Sequence, residues 1–349
     1  MPIRRKPAPR RTRHPKPARP VQHVVLIIKE NHTFDNYFGT FPGVDGAHLP
    51  RSANPPRTDP DHRHGAWLTR ATTAVREQFT EQDIPAYFAY ARQFTLCDQY
   101  FTDVAGPSTP NHLMLIAAAS PVIDNPPRYR LAPGAPLFDL PTLPVALEKA
   151  KHTWRNYGGY AFDFFTALHG RHTVASEQFA VDAAAGKLPT VSWVYAPHDA
   201  SEHPPDPSDQ SNPLVGDVTH GMAWTVQQLD AIVRGGLWAK TVVFITWDDW
   251  GGWFDHVDPP FAEQWKDGTQ FRYGSRVGCL VVSPYARQGH VSHVQHSHVS
   301  LLKFCETTFR LKPLNTRDAA ADDMADCFDF TQVPAPPPTI TAPAHGRPR

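Results

Sequence analysis

One run constrains this chain more than any other: Thr241-Val-Val-Phe-Ile-Thr-Trp-Asp248-Asp249-Trp-Gly-Gly-Trp-Phe-Asp255-His256. Its β-branched and aromatic opening reads as a fully buried strand. Two adjacent carboxylates follow at the carboxyl end, and Gly251-Gly252 break the strand. Open α/β sheets place their ligands at the carboxyl ends of strands. Neighbouring carboxylates repel, so such a pair reads either as a solvated turn or as a cation site. Delivery by a buried strand favours the cation.

A second apolar run, His23–Lys29, predicts the first strand and ends in Glu30-Asn31. Asn is also a common helix cap. Beside Asp248 and Asp249, however, Glu30 and Asn31 complete a set of hard oxygen donors for one divalent ion. All-oxygen ligands suit Ca²⁺, Mg²⁺ or Mn²⁺, and nearby histidines keep Zn²⁺ open.

Further strands are expected over 190–195 and 278–283, and helices over 84–93, 110–119, 140–150, 216–233 and 298–310. Strands alternating with helices imply an α/β fold, a mostly parallel central sheet with helices on both faces. Segments 43–78, 120–139 and 196–215 are rich in Pro, Gly, Asp and His and should wall a pocket. The folded region is expected over 21–332.

The first twenty residues carry eight Lys/Arg and no acid. Removing these eight from the 34 Lys/Arg leaves 26 against 34 Asp/Glu, so the remainder is about −8 at neutral pH. Residues 1–20 and 333–349 read as disordered Pro-rich tails. The basic tail lacks aromatic interleaving, so no nucleic-acid partner is expected. It also lacks the apolar stretch of a secretory signal, which on sequence alone suggests the cytoplasm. No run is long enough to span a membrane. Cys97, Cys279, Cys305 and Cys327 form no C-x-x-C pair and read as buried free thiols.

Ser108 and Thr109 precede Pro110, Asn111 and an apolar periodic run. This is how helices start, and a hydroxyl there is most often a cap. It is equally placed to attack phosphorus, where the helix dipole and free N–H groups stabilise anions. The carboxylate clusters select the second reading. Among nineteen histidines, His203, His256, His296 and His298 stand where an imidazole can bind phosphate oxygens or protonate a leaving group. The spacing of His293, His296 and His298 also allows a zinc loop, though no signature requires it.

These pieces, with Tyr273-Gly-Ser-Arg-Val, Val282-Ser-Pro-Tyr-Ala-Arg and Asp322-Asp-Met-Ala-Asp-Cys-Phe-Asp-Phe, resemble the phosphoesterase family that contains bacterial phospholipases C, an acid phosphatase branch and plant non-specific phospholipases C. The resemblance implies an alkaline-phosphatase-like fold. It places the metal on Glu30, Asn31, Asp248 and Asp249, and the nucleophile at Ser108. It places His203, His256 and His298 near the phosphate. Asn31, Thr109 and Asn111 would bind substrate oxygens. His112 stands where the family usually has Arg, and Asp249 where it often has Glu. The large phospholipases C carry extra β-domains, for which this chain ends too early. The expected activity is therefore a compact acid phosphatase-like phosphomonoesterase acting through a phosphoserine. The alternatives are a phospholipase C-type phosphodiesterase acting on phosphatidylcholine or related lipids, and a non-catalytic phosphate- or partner-binding protein. Either enzyme would take a small phosphoester or a phospholipid.

Overall fold

The computed structural model describes residues 20–126, 137–209, 211–264 and 270–339. Most of both tails and the middle of segment 120–139 lie outside the described residues. The strands are β1 (His23–Lys29), β2 (Thr95–Cys97), β3 (Tyr100–Phe101), β4 (Trp154–Tyr157), β5 (Thr173–Val174), β6 (Val191–Tyr195), β7 (Thr241–Trp247), β8 (Phe261–Gln264), β9 (Gln270–Arg272), β10 (Cys279–Val282), β11 (His290–Ser292) and β12 (His296–Ser297). Eight of them form one sheet in the order β11-β2-β10-β7-β1-β6-β4-β5. It is parallel except for β10, which runs against both β2 and β7.

β1 lies between β6 and β7, parallel to both. Its register pairs Ile28 with Tyr195 and Lys29 with Trp247. Every residue of β7, and all of β1 after His23, is buried. Burial of each such Val, Leu or Ile contributes roughly 1.5–3 kcal/mol before the entropy of ordering is subtracted. Continuous apolar runs mean that both faces are covered. Phe244 packs on Phe304 of the helix His298–Phe309 at 5.1 Å between ring centroids. Trp247 meets Tyr87 of the helix Pro85–Gln93 at 5.4 Å. Residues three apart on a strand point to opposite faces, so these helices cover opposite sides.

The expected strands hold to within a residue. Two helices shift. The one expected over 110–119 runs Ser108–Ala117, with Pro107 rather than Ser108 as the flanking residue. The one expected over 140–150 shortens to Leu143–Lys149, because the Thr142 hydroxyl accepts from the Val145 N–H and sets the start. Sheet strands β2, β4, β5 and β11 were not expected. They have only two to four residues, too few to show a period. Among the described residues no helix is long and apolar enough to cross a membrane.

Candidate active site

The parallel register of β6, β1 and β7 sets the site. Three adjacent strands finish side by side, so Tyr195, Glu30-Asn31 and Asp248-Asp249 emerge at one edge. The Asp248 N–H donates to Lys29 O at 3.0 Å, which locks the two carboxylate-bearing ends together. The Asp249 N–H donates to Asp248 Oδ1 at 2.9 Å, and Asp249 Oδ1 accepts from the Gly251 N–H at 2.7 Å. Gly251 has φ +57°, and a Cβ there would fall 2.1 Å from Asn31 O. Only glycine lets the Asp-pair loop pass this close to Asn31.

Ser108 arrives from the other direction, as the first residue of its helix. Its flanking residue, Pro107, offers no side chain to cap it, and the distant Asn125 side chain accepts from the Thr109 N–H at 2.8 Å. The Ser108 hydroxyl donates instead to Asp249 Oδ2 at 3.1 Å. One turn along, His112 Nε2 lies 3.0 Å from Asp248 Oδ2, both side chains fully buried. That contact has ion-pair distance without hydrogen-bond alignment, and both atoms lack any other protein partner.

The charges are unbalanced. Burial, then repulsion from Asp248, raises the Glu30 carboxyl above its ordinary range. The same two causes push Asp249 well up. Burial works against the Asp248 charge as well, but the adjacent His112 imidazole holds it below the usual carboxylate range. Asn31 Oδ1 and Asp248 Oδ2 are buried with no hydrogen-bond partner. Orphaned hard oxygens among carboxylates are a chemical fit for a divalent cation. Glu30, His112 and Asp248 alone place ligand atoms within 4.8 Å of one another.

A second group adjoins this one. Asp59, His62 and His203 also bring ligand atoms within 4.8 Å of one another. His62 Nε2 accepts from Asn31 Nδ2 at 3.4 Å, while its Nδ1 donates to Pro60 O at 2.8 Å. His203 Nδ1 donates to Pro204 O at 2.7 Å. Burial disfavours charge on His203, yet the Glu30 and Asp59 carboxylates outweigh it and raise its pKa. His62, Asp59 and His112 were not assigned from sequence. For His112 the signal was present, since four residues from Ser108 is the same helix face.

Other expected residues are placed elsewhere. The His256 ring nitrogens meet Asp35 at 2.7 Å and Asp45 at 3.0 Å, within a knot around buried Arg276. His298 is buried, with Nε2 donating to Asp248 O at 2.8 Å and Nδ1 accepting from Tyr100 at 3.0 Å. Burial lowers its pKa, and no nitrogen remains for substrate; it positions Asp248. Asn111 spends its amide on Val104, Gly106 and Pro107, the loop that leads into Ser108. Thr109 bonds Tyr160 through its hydroxyl and Asn125 through its N–H. Nor do the three loop histidines gather as a zinc site: His293 pairs with Asp98 and His298 turns inward.

A family model described as the phosphoesterase family matches residues 21–57 and 57–312. The chain belongs to that family. The chain is 29% identical to the non-hemolytic phospholipase C of Pseudomonas aeruginosa, over 89% of this chain and 57% of that protein. It thus spans little more than half the length of that relative. It is 27% identical to phospholipase C B of Mycobacterium tuberculosis, over 90% of this chain and 79% of the relative. Against non-specific phospholipase C6 of Arabidopsis thaliana the identity is 23%, over 93% and 75%. A solved Bacteroides thetaiotaomicron structure, described with the metabolism of multiple glycosaminoglycans, superposes with a TM-score of 0.51 at 12% identity. It covers 93% of this chain and 79% of its own, a likeness of fold alone.

Proposed function

We propose that this phosphoesterase hydrolyses phosphodiesters of the phospholipid headgroup class, with Ser108 as nucleophile. The observation that carries the reading is the Ser108–Asp249 hydrogen bond, made by a helix N-terminal hydroxyl inside a cluster of buried carboxylates and imidazoles. The relatives' names supply the substrate class.

Glu30, Asn31, Asp248 and Asp249 would hold one divalent ion. When bound, it would offset their charge and make the Ser108 hydroxyl more acidic. The chain's own groups do the rest. Asp249 Oδ2 takes the Ser108 proton as Oγ bonds to phosphorus and the P–O bond to the leaving alcohol breaks. The amino end of the helix Ser108–Ala117, the positive end of its dipole, stabilises the non-bridging oxygens. His203, tethered through Nδ1 and favoured in its charged form by Glu30 and Asp59, donates its Nε2 proton to the leaving alkoxide. Water then cleaves the phosphoserine and regenerates Ser108.

A phosphomonoesterase is the second reading. It is favoured by the three imidazoles of His62, His112 and His203 beside Glu30, which suit a dianionic phosphate. The test is p-nitrophenylphosphorylcholine beside p-nitrophenyl phosphate, with each divalent metal in turn after chelation. A clear preference for the choline diester supports the first reading. Preference for the monoester selects the second. Inertness towards both, with every metal, rejects the catalytic assignment.

A further inference from the structure

None of the residues that line the Ser108 site belongs to a second cluster at the β2 side of the sheet. Cys97 closes β2, and Cys327 closes the short 3-10 turn Ala325–Cys327. His296 opens β12, which follows the edge strand β11. Cys97, Cys327 and His296 are almost entirely out of solvent, and Asp326 is half-buried. The ligand atoms of Cys97, His296 and Cys327 lie within 4.8 Å of one another, as do those of His296, Asp322 and Asp326.

Cys97 Sγ lies 3.7 Å from Cys327 Sγ. Cys327 Sγ lies 3.9 Å from His296 Nε2 and 3.8 Å from Asp326 Oδ1. His296 Nε2 lies 3.3 Å from Asp326 Oδ1. Zinc bond lengths at tetrahedral angles require about 3.8 Å between two sulfurs, about 3.6 Å from sulfur to nitrogen or oxygen, and about 3.4 Å from nitrogen to oxygen. All four measured separations fall close to that set. The plainer alternative is a histidinium between two aspartates with two bystander thiols. It leaves His296 Nδ1 3.2 Å from Asp322 without a hydrogen bond of good geometry. It also crowds one Nε2 with Ser292, Asp326 and Cys327 at once. In a metal site the Asp322 contact gains a purpose, because a carboxylate on the distal nitrogen orients a ligating histidine.

We propose that Cys97 Sγ, Cys327 Sγ, His296 Nε2 and Asp326 Oδ1 bind one zinc-class ion that fastens the segment 322–327 to the sheet. Binding releases to solvent the two thiol protons and the proton on His296 Nε2, while Nδ1 keeps its own towards Asp322, and no redox partner is involved. Two thiolates in the donor set select zinc over the hard ions that suit Glu30 and Asp248.

The test uses the full chain, purified from zinc-supplemented growth, with metal counted by elemental mass spectrometry. Wild type should hold one more zinc per chain than Cys327→Ala. Cobalt loaded in its place should show a thiolate-to-cobalt charge-transfer band in wild type that Cys327→Ala lacks. Where the cysteine variant does not accumulate, Asp326→Asn serves, and its zinc affinity by chelator competition should fall at least tenfold. Equal zinc in wild type and variant with no charge-transfer band would overturn the site. So would a Cys97–Cys327 disulfide found by peptide mapping.

Discussion

Lys29 Nζ lies 3.2 Å from Glu202 Oε1, and neither side chain is exposed. Each is the chain neighbour of a site residue, Lys29 of Glu30 and Glu202 of His203. Glu202 also accepts from Tyr37 at 2.9 Å, Tyr87 at 2.7 Å and Trp247 at 2.9 Å. Lys29 donates to the carbonyls of Ala200 and Gly221. Glu202 has φ +77°, a left-handed conformation that non-glycine residues hold only when their surroundings over-determine it. The ion pair thus holds a strained residue and fixes the entry angle of His203.

Removing one partner should therefore cost more than removing both. Glu202→Gln leaves a buried, unpaired ammonium and is expected to lose about 3–5 kcal/mol in urea unfolding. Lys29→Met combined with Glu202→Gln should recover part of that loss. A double variant no more stable than Glu202→Gln would show that the pair is not coupled.

Ser108→Ala separates the two readings of that hydroxyl. Because Ser108 caps nothing, stability should change by less than about 1 kcal/mol, below the usual cost of losing a cap. Turnover should fall by about a thousandfold or more, as for other nucleophile deletions. Bound metal should stay unchanged. Residual activity near wild type would remove Ser108 from the chemistry.

His203 can be tested through the leaving group. His203→Gln should lower kcat by about 10²–10⁴-fold for an alkyl alcohol leaving group. For p-nitrophenol, which leaves without a proton, the loss should be much smaller. In wild type, activity should decline as pH rises through the elevated His203 pKa, and the variant should lack that limb. An equal loss on both substrates would assign His203 a positioning role only.

Glu306 predicts a slope in stability. It is buried, neither oxygen meets a hydrogen bond of ordinary geometry, and Lys303 lies 3.7 Å away. Burial, aided by the Asp318 carboxyl, raises its pKa from 4.5 to about 8. Between those values the unfolded chain releases a proton that the folded chain keeps, so stability falls as pH rises across that window and levels off above it. Glu306→Gln should flatten the fall, with its advantage over wild type growing from about pH 5 to about pH 8. Parallel urea midpoints for the two proteins over this range would reject the assignment.

What the sequence made legible follows physical reach. β1 and β7 were plain because a buried strand is a continuous apolar run, and Glu30, Asn31, Asp248 and Asp249 followed as its ends. β4 and β5 were not, since two to four residues carry no period. His112 needed only helix geometry. His62 and Asp59 needed the path of the 43–78 loop, which Pro-rich composition does not encode. His256 and His298 stood beside the right motifs, but their partners, Asp35 and the Asp248 carbonyl, are tertiary.

The central position of β1 bears on how the molecule is made. Among the described residues β1 is the earliest strand, yet its first sheet neighbour begins at Val191, well over a hundred residues after Lys29. At about 5–20 residues per second, a nascent chain carries this apolar strand unpaired for roughly ten to thirty seconds. Its second neighbour, which brings the aspartate pair, comes later still. The edge that brings Glu30 beside Asp248 is thus among the last parts of the sheet to form during synthesis, and until then the chain depends on whatever shields β1.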